Sequence, residues 1–423
     1  MLEAARRSGA AGRRAVFEVF ARHLPNGRRY GVVAGTGRLL DALQSFTFDP
    51  PTLDFLRQAE VVDDETLEYL EAFRFSGDIW GYREGDCYFP GSPILVVEAP
   101  FGEAVLLETI TLSILNHDSA IASAASRMVT AAGGRPLIEM GSRRTHEQAA
   151  VASARAAYIA GFASTSNLKA AQAYGVPSAG TSAHAFTLVH NSERNAFSTQ
   201  LAALGNSTTL LVDTYDVPRA VRTAVELAGP ELGAVRIDSG DLQASARETR
   251  ALLDSLGAHS TSVIVTGDLD EHSIAALAAA PVNGYGVGTA LVTGSGAPTA
   301  ALVYKLVARS DGHDGPDAAP RLRPVAKRSV GKPGRGGRKW PIRHRDDHGI
   351  ALAEAIRLGP AEPGPNDRPL LHPLVRGGEI VGREPLTAAR DRHAAALAEL
   401  PPQARKLSRG EPAIPTIFQP DGG

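Results

Sequence analysis

The chain has 423 residues, enough for two domains or for a barrel with additions. Its 44 basic and 46 acidic residues leave a formal net charge of −2, which speaks against a general nucleic-acid or membrane surface. A single cysteine, Cys87, excludes an intramolecular disulfide framework and a cysteine-rich zinc site and fits a reducing, cytoplasmic setting. Arg6 and Arg7 are followed by no apolar signal-peptide core, and no apolar run reaches membrane-spanning length.

In chain order, residues 15–20 and 30–34 read as strands, 38–44 and 51–58 as helices, and 93–98 (PILVVE) as a strand. A stretch rich in Leu, Ile and Ala, 103–132, reads as a long helix. From Pro136 a rhythm sets in. The strand candidates are 136–141, 161–166, 176–182, 208–214, 234–240, 262–268 and 282–289, and helical segments separate most of them. This is the pattern of a parallel α/β sheet or barrel. A barrel is expected, because polar residues stand at the carboxyl end of nearly every strand, and a barrel gathers loops from all its strands. An open sheet concentrates its site at one switch point. The expected domains are 1–105 (α/β), 106–308 (βα barrel, catalytic), 309–342 (a basic, glycine-rich loop) and 343–423. The last is read as a strand and short helices packing back on the first domain.

The strand ends carry the chemistry. Arg143 and Arg144 follow the first; adjacent arginines there suit either a shared anion or surface ion pairs. Ser164, Thr165, Ser166 and Asn167 follow the second, where hydroxyls can cap a helix or leave its N-terminus to an anion. His184 follows the third among small residues, accessible as acid/base, metal ligand or phosphate acceptor. Asp213 ends the fourth strand and Asp268 the sixth. The fifth ends in Arg236, Asp238, Ser239, Gly240 and Asp241. These carboxylates can hold Mg²⁺ or sugar hydroxyls, and Asp241 can equally be a plain helix cap. Gly286, Gly288 and Thr289 form a Gly-X-Gly-Thr turn of the kind that cradles phosphate. Together this inventory suits a sugar phosphate with a diphosphate and Mg²⁺. The basic segment 327–339 reads either as a solvated loop or as a clamp on phosphate.

With GSRRTHE (141–147), TSNLKA (165–170), GTSAHAFTL (180–188), LVDTYDV (211–217), VRIDSGDL (235–242), YGVGT (285–289) and VYKLV (303–307), the chain resembles nicotinate phosphoribosyltransferases of the actinobacterial type. The resemblance implies an irregular βα barrel of the type II phosphoribosyltransferases, with an α/β domain built from both chain ends. It implies formation of nicotinate mononucleotide and pyrophosphate from nicotinate and phosphoribosyl pyrophosphate, coupled to ATP hydrolysis, in NAD salvage. It also implies a cytoplasmic homodimer with shared active sites. On the matching positions, His184 is the histidine that ATP phosphorylates, and Arg236, Asp238, Ser239 and Asp241 contact substrate. Ser166 reads the pyridine acid group. Arg143, Arg144, Lys305 and the Gly286–Gly288–Thr289 turn take the phosphates. Asp213 and Asp268 serve Mg²⁺ or the ribose hydroxyls.

Two departures stand out. Met140 replaces a phenylalanine that stacks on the ring in many relatives. The chain also opens within what resembles the family's first helix, so an upstream Thr-Asp-X-Tyr segment, whose tyrosine closes the partner's site, is expected before Met1. Quinolinate phosphoribosyltransferase, a nicotinamide-specific transferase and a catalytically impaired homologue lacking that lid are the competing readings. A nicotinamide site would favour a carboxylate where Ser166 stands, because the amide NH₂ needs an acceptor.

Overall fold

The computed structural model describes residues 1–311, 322–327, 334–360 and 362–419. Its contacts divide the chain into two units, residues 1–120 with 299–423, and residues 121–298.

The first unit is built on a seven-stranded antiparallel sheet. Its order is Arg323–Pro324, Leu302–Arg309, Arg14–Ala21, Pro93–Pro100, Asp78–Gly81, His372–Arg376 and Glu379–Ile380. The central strands are apolar runs because both their faces are covered: Val16, Val19, Val96 and Val97 are fully buried. Phe17 stacks on Tyr304 with ring centroids 4.8 Å apart. Glu18, inside the same strand, is buried and held by Lys339 Nζ at 2.6 Å. The helical stretch at 103–132 is broken at Leu107 into Phe101–Leu106 and Glu108–Ala132.

Beyond Trp340 the expectation of one strand and short helices needs correcting. Trp340–Arg345 and Ala351–Arg357 pair in a four-stranded sheet with Arg368–Pro369 and Thr416–Phe418, and the one α-helix described there is Leu386–Glu399. Buried charge hid these strands. Arg343 and Glu354 face each other across the ladder with side chains at 0 % exposure, which breaks the apolar alternation that marks a strand. Among the described residues, no helix is long and apolar enough to cross a membrane.

The second unit is a parallel α/β layer. Its strands are β1 (Leu137–Glu139), β2 (Ser164–Thr165), β3 (Thr209–Leu211), β4 (Ala234–Ile237), β5 (Ser262–Val265) and β6 (Gly284–Val287). They lie in the order β2-β1-β6-β5-β4-β3, all parallel, as half a barrel. The expected strand at 176–182 is reduced to one bridge between Thr165 and Ser178. Pro177 has no N–H to give a ladder there. The helices are α1 (Glu147–Ile159), α2 (Leu168–Tyr174), α3 (His184–Val189), α4 (Glu193–Leu204), α5 (Val217–Ala228), α6 (Leu242–Ser255), α7 (Glu271–Ala276) and α8 (Thr289–Val292). Most follow a strand, so each strand's carboxyl end becomes a turn rich in capping side chains.

Candidate active site

The acidic residues at those turns divide into two kinds. Asp216, Asp241 and Asp270 cap α5, α6 and α7, each accepting backbone N–H groups of the first turn. Asp241 Oδ1 takes both Gln243 N and Ala244 N at 3.1 Å, so the capping alternative holds for this residue. Asp213, Asp238 and Asp268 cap nothing. Their side chains are committed elsewhere or left to solvent, and the sequence could not separate the two kinds.

The centre of the site is Arg236 on β4. Alternation puts Val235 and Ile237 into the core and leaves Arg236 on the other face, 8 % exposed. A guanidinium that dry needs partners on every side. Its Nε donates to Thr266 Oγ1 at 2.8 Å, its Nη1 to Thr181 Oγ1 and to the Ser182 carbonyl at 3.3 Å, and its Nη2 lies 3.0 Å from Asp238 Oδ2. Thr266 also donates to Asp238 Oδ1, so one threonine braces both members of the pair. Burial would raise the Asp238 carboxyl, but Thr266 and the Arg236 charge outweigh it and hold it below the ordinary value of 3.8. Gly240, at φ 81°, takes the left-handed turn that follows.

Asp213 stands behind this pair with a side chain only 3 % exposed. Its Oδ2 accepts Asp238 N and Ser239 Oγ, both at 2.8 Å, while Oδ1 is buried without a hydrogen-bond partner. His184, the first residue of α3, brings its ring to the same place. Nδ1 lies 3.2 Å from Thr214 Oγ1, and Nε2 faces Asp238 Oδ2 at 3.8 Å and Asp213 Oδ1 at 3.9 Å. The expected residues His184, Asp213, Arg236, Asp238 and Ser239 are thus brought together. Thr181, Thr214 and Thr266 were given no role from the sequence, since a threonine at a strand end carries no distinctive spacing.

The turns after β1 and β2 meet over Glu139, which the sequence reading also passed over. Glu139 is fully buried at the end of β1; burial raises its carboxyl above the ordinary range against hydrogen bonds from Thr165 and Gly141. Ser166 is exposed and its N–H donates to the Glu139 carbonyl at 2.8 Å. The cap of α2 is Asn167, not one of the hydroxyls. Arg143 and Arg144 are exposed on the first turn. Asp268 is exposed after β5, and Thr289 is exposed at the start of α8 after Gly288.

Gly286 has a packing role that a phosphate cradle does not require. A Cβ there would stand 2.5 Å from Thr266 Cγ2 and 2.7 Å from Met140 Sδ. Gly286→Ala is therefore expected to destabilise the protein by about 1–3 kcal/mol through overpacking. Thermal unfolding checks this, and an unchanged melting temperature would show that Met140 and Thr266 yield without strain.

Lys305 lies in the first unit, exposed on Leu302–Arg309. There it lines a cleft of about 470 Å³ with Arg22, Lys327 and Arg335. Of the basic segment 327–339, residues 328–333 lie outside the described residues. Cys87 is buried and burial pushes its thiol up to about 12, which removes it as a nucleophile.

Among the described residues no three His, Cys, Asp or Glu side chains converge as a metal cage. Mg²⁺ ordinarily takes only one or two carboxylates, with waters and phosphate oxygens completing its shell. The bare, buried Oδ1 of Asp213 fits that mode, with exposed Asp268 as a further carboxylate of the same unit.

Residues 1–116 match the family model described as the nicotinate phosphoribosyltransferase N-terminal domain, and residues 136–308 that of the nicotinate phosphoribosyltransferase family. The chain is 58 % identical to the Mycobacterium tuberculosis nicotinate phosphoribosyltransferase pncB1, covering 98 % of this chain and 92 % of that protein. It is 38 % identical to the Bacillus subtilis nicotinate phosphoribosyltransferase over 73 % of this chain and 64 % of that one. The crystal structure of human nicotinic acid phosphoribosyltransferase superposes with a TM-score of 0.82 at 25 % identity, covering 99 % of this chain and 96 % of that chain. A family model on each unit and full-length identity at this level lead to one conclusion: the chain belongs to the nicotinate phosphoribosyltransferase family.

Proposed function

We propose that the protein is a nicotinate phosphoribosyltransferase of NAD salvage, joining nicotinate to the ribose of phosphoribosyl pyrophosphate and releasing pyrophosphate. The observation that carries this reading is the strand-end cluster in which Arg236, Asp238, Asp213 and His184 converge. The relatives' names supply the substrate. The type II barrel, the ATP coupling, a homodimer sharing its sites and a cytoplasmic setting belong to the same reading. So does the assignment of the chemistry to residues 106–308.

The pyridine nitrogen attacks C1 of the ribose as pyrophosphate departs, and C1 becomes cationic on the way. Little covalent work falls to the protein, so placement and charge do most of it. Asp238 is held ionised by Thr266 and Arg236 and offers a fixed negative charge to the ribose side. Arg143 and Arg144, exposed on the first turn, are cations for the diphosphate. Ser166, Gly288 and Thr289 offer uncharged donors to the acid group and the phosphate. Asp241 contributes to the substrate turn through its cap. Mg²⁺, held by Asp213 and Asp268, supplies charge neutralisation to the diphosphate when bound.

His184 is placed to accept phosphate from ATP. In the tautomer that carries its hydrogen on Nδ1, 3.2 Å from Thr214 Oγ1, the Nε2 lone pair is available for attack on the terminal phosphorus, with ADP leaving. A phosphoryl group there adds negative charge that draws in the basic residues around the diphosphate.

Ser166 favours nicotinate over nicotinamide, since it presents no carboxylate to repel the acid group. Purified protein offered nicotinate, nicotinamide or quinolinate, each with and without ATP, tests the reading. Nicotinate mononucleotide should form, faster with ATP. Equal use of nicotinamide would remove the specificity argument, and use of quinolinate alone would replace this reading with its runner-up.

A further inference from the structure

We infer that Glu139 is the positioning residue of the nicotinate-binding half of the site, holding the turn that bears Ser166 in register with the turn that bears Arg143 and Arg144. This rests on the functional reading above and adds to it a residue that touches no substrate. Glu139 Oε1 accepts the Gly141 N–H and Oε2 accepts the Thr165 hydroxyl. The same hydroxyl accepts Asn167 N–H at 2.9 Å, and Asn167 Nδ2 donates to Ser142 Oγ at 3.0 Å. The circuit therefore closes: Glu139 to Gly141 and Ser142, across to Asn167, back through Thr165 to Glu139. The Ser166 N–H is bonded to the Glu139 carbonyl, so the serine hangs on the middle of this ring.

The chemistry of the ring demands a carboxylate. Thr165 Oγ1 already accepts one N–H, so its own hydrogen must point at Glu139. Gly141 presents a second donor. Only a group with two acceptor oxygens satisfies both. Glutamine of the same shape would set its NH₂ against Gly141 N–H or take the place of the acceptor that Thr165 needs. An apolar residue would leave both donors bare. Gly141 is required by the same packing, because a Cβ there would lie 3.0 Å from Glu139 Oε1 and 2.2 Å from Val292 Cγ1.

Disturbing the ring acts more on nicotinate than on the diphosphate. Ser166 is short and goes where its backbone goes, and both its chain neighbours belong to the ring. Arg143 and Arg144 are long, exposed side chains that can reach an anion again after a small shift of the turn.

The test uses the full-length enzyme with Thr165→Val, Thr165→Ser and Glu139→Gln, measuring KM for each substrate separately together with the melting temperature. Thr165→Val keeps the volume and removes the hydroxyl; Thr165→Ser restores it. Thr165→Val and Glu139→Gln should raise the KM for nicotinate about tenfold, the cost of one buried hydrogen bond. The KM for phosphoribosyl pyrophosphate should move less than about twofold, and Thr165→Ser should return the nicotinate KM to within about threefold of wild type. If Glu139→Gln does not fold, the Thr165 pair decides alone. Equal shifts in both KM values, unchanged KM values, or no rescue by serine would each overturn the inference while leaving the function intact. If the unsubstituted enzyme makes no mononucleotide from nicotinate, the functional reading fails and this inference falls with it.

Discussion

Replacing His184 by asparagine is expected to abolish incorporation of acid-labile phosphate from ATP while leaving the fold in place. The histidine side chain is 40 % exposed, and its one described hydrogen bond is to Thr214. Its packing contribution is therefore small, and the loss of stability should stay within about 0.5 kcal/mol, as for other surface substitutions. The chemical loss is complete, because asparagine offers no ring nitrogen with a free lone pair. The ATP-dependent part of the turnover should vanish and the ATP-independent part should remain. Labelled ATP followed by acid treatment of the protein reads this directly. Labelled, acid-labile phosphate on the variant would place the phosphorylation at another residue.

Asp238→Asn is expected to lower kcat/KM by a factor of about 10² to 10³, the range found when a preorganised charge or donor is removed from a reacting centre. The amide oxygen still accepts Thr266, so the fold should survive. Asp238→Ala differs, because it leaves Arg236 buried without its carboxylate. Breaking a fully buried pair costs about 3–5 kcal/mol. Here the cost should be smaller, since Asp238 is 29 % exposed and Thr266, Thr181 and the Ser182 carbonyl still hold the guanidinium.

The pH dependence separates charge from shape. The folded protein holds the Asp238 carboxyl below its ordinary value of 3.8, so its stabilisation is complete above that value and is lost as pH falls through the depressed one. Wild type and Asp238→Asn should therefore differ in melting temperature near neutrality and converge in acid. A constant difference at every pH would mean that the asparagine disturbs packing, not charge.

How much of this was legible in the sequence depends on where the chemistry sits. The turns themselves were readable: the left-handed glycine at 240 and the carboxylates at 213, 238 and 241 belong to short motifs whose geometry is local, whereas which of these carboxylates caps a helix was not. The parallel layer was readable because strands and helices alternate with sharp turns. The strand at 176–182 was not, because small residues and Pro177 satisfy a strand pattern without supplying a ladder. Glu139 was missed for the opposite reason. A carboxylate beside buried residues reads as a solvent-facing position, and only the fold shows that Thr165 and Gly141 turn towards it. Its signal was an acidic residue within an otherwise apolar strand end, followed two residues on by glycine. The strands after Trp340 were hidden in the same way by Arg343 and Glu354.

In the proposed function the strand-end cluster of residues 121–298 holds the product. A crystal structure determined with nicotinate mononucleotide bound tests it most directly. The acid group should lie within hydrogen-bonding reach of Ser166, the ribose hydroxyls should face Asp238 and Asp213, and the phosphate should lie near the Gly288–Thr289 turn. A mononucleotide bound with none of these residues within reach would contradict it.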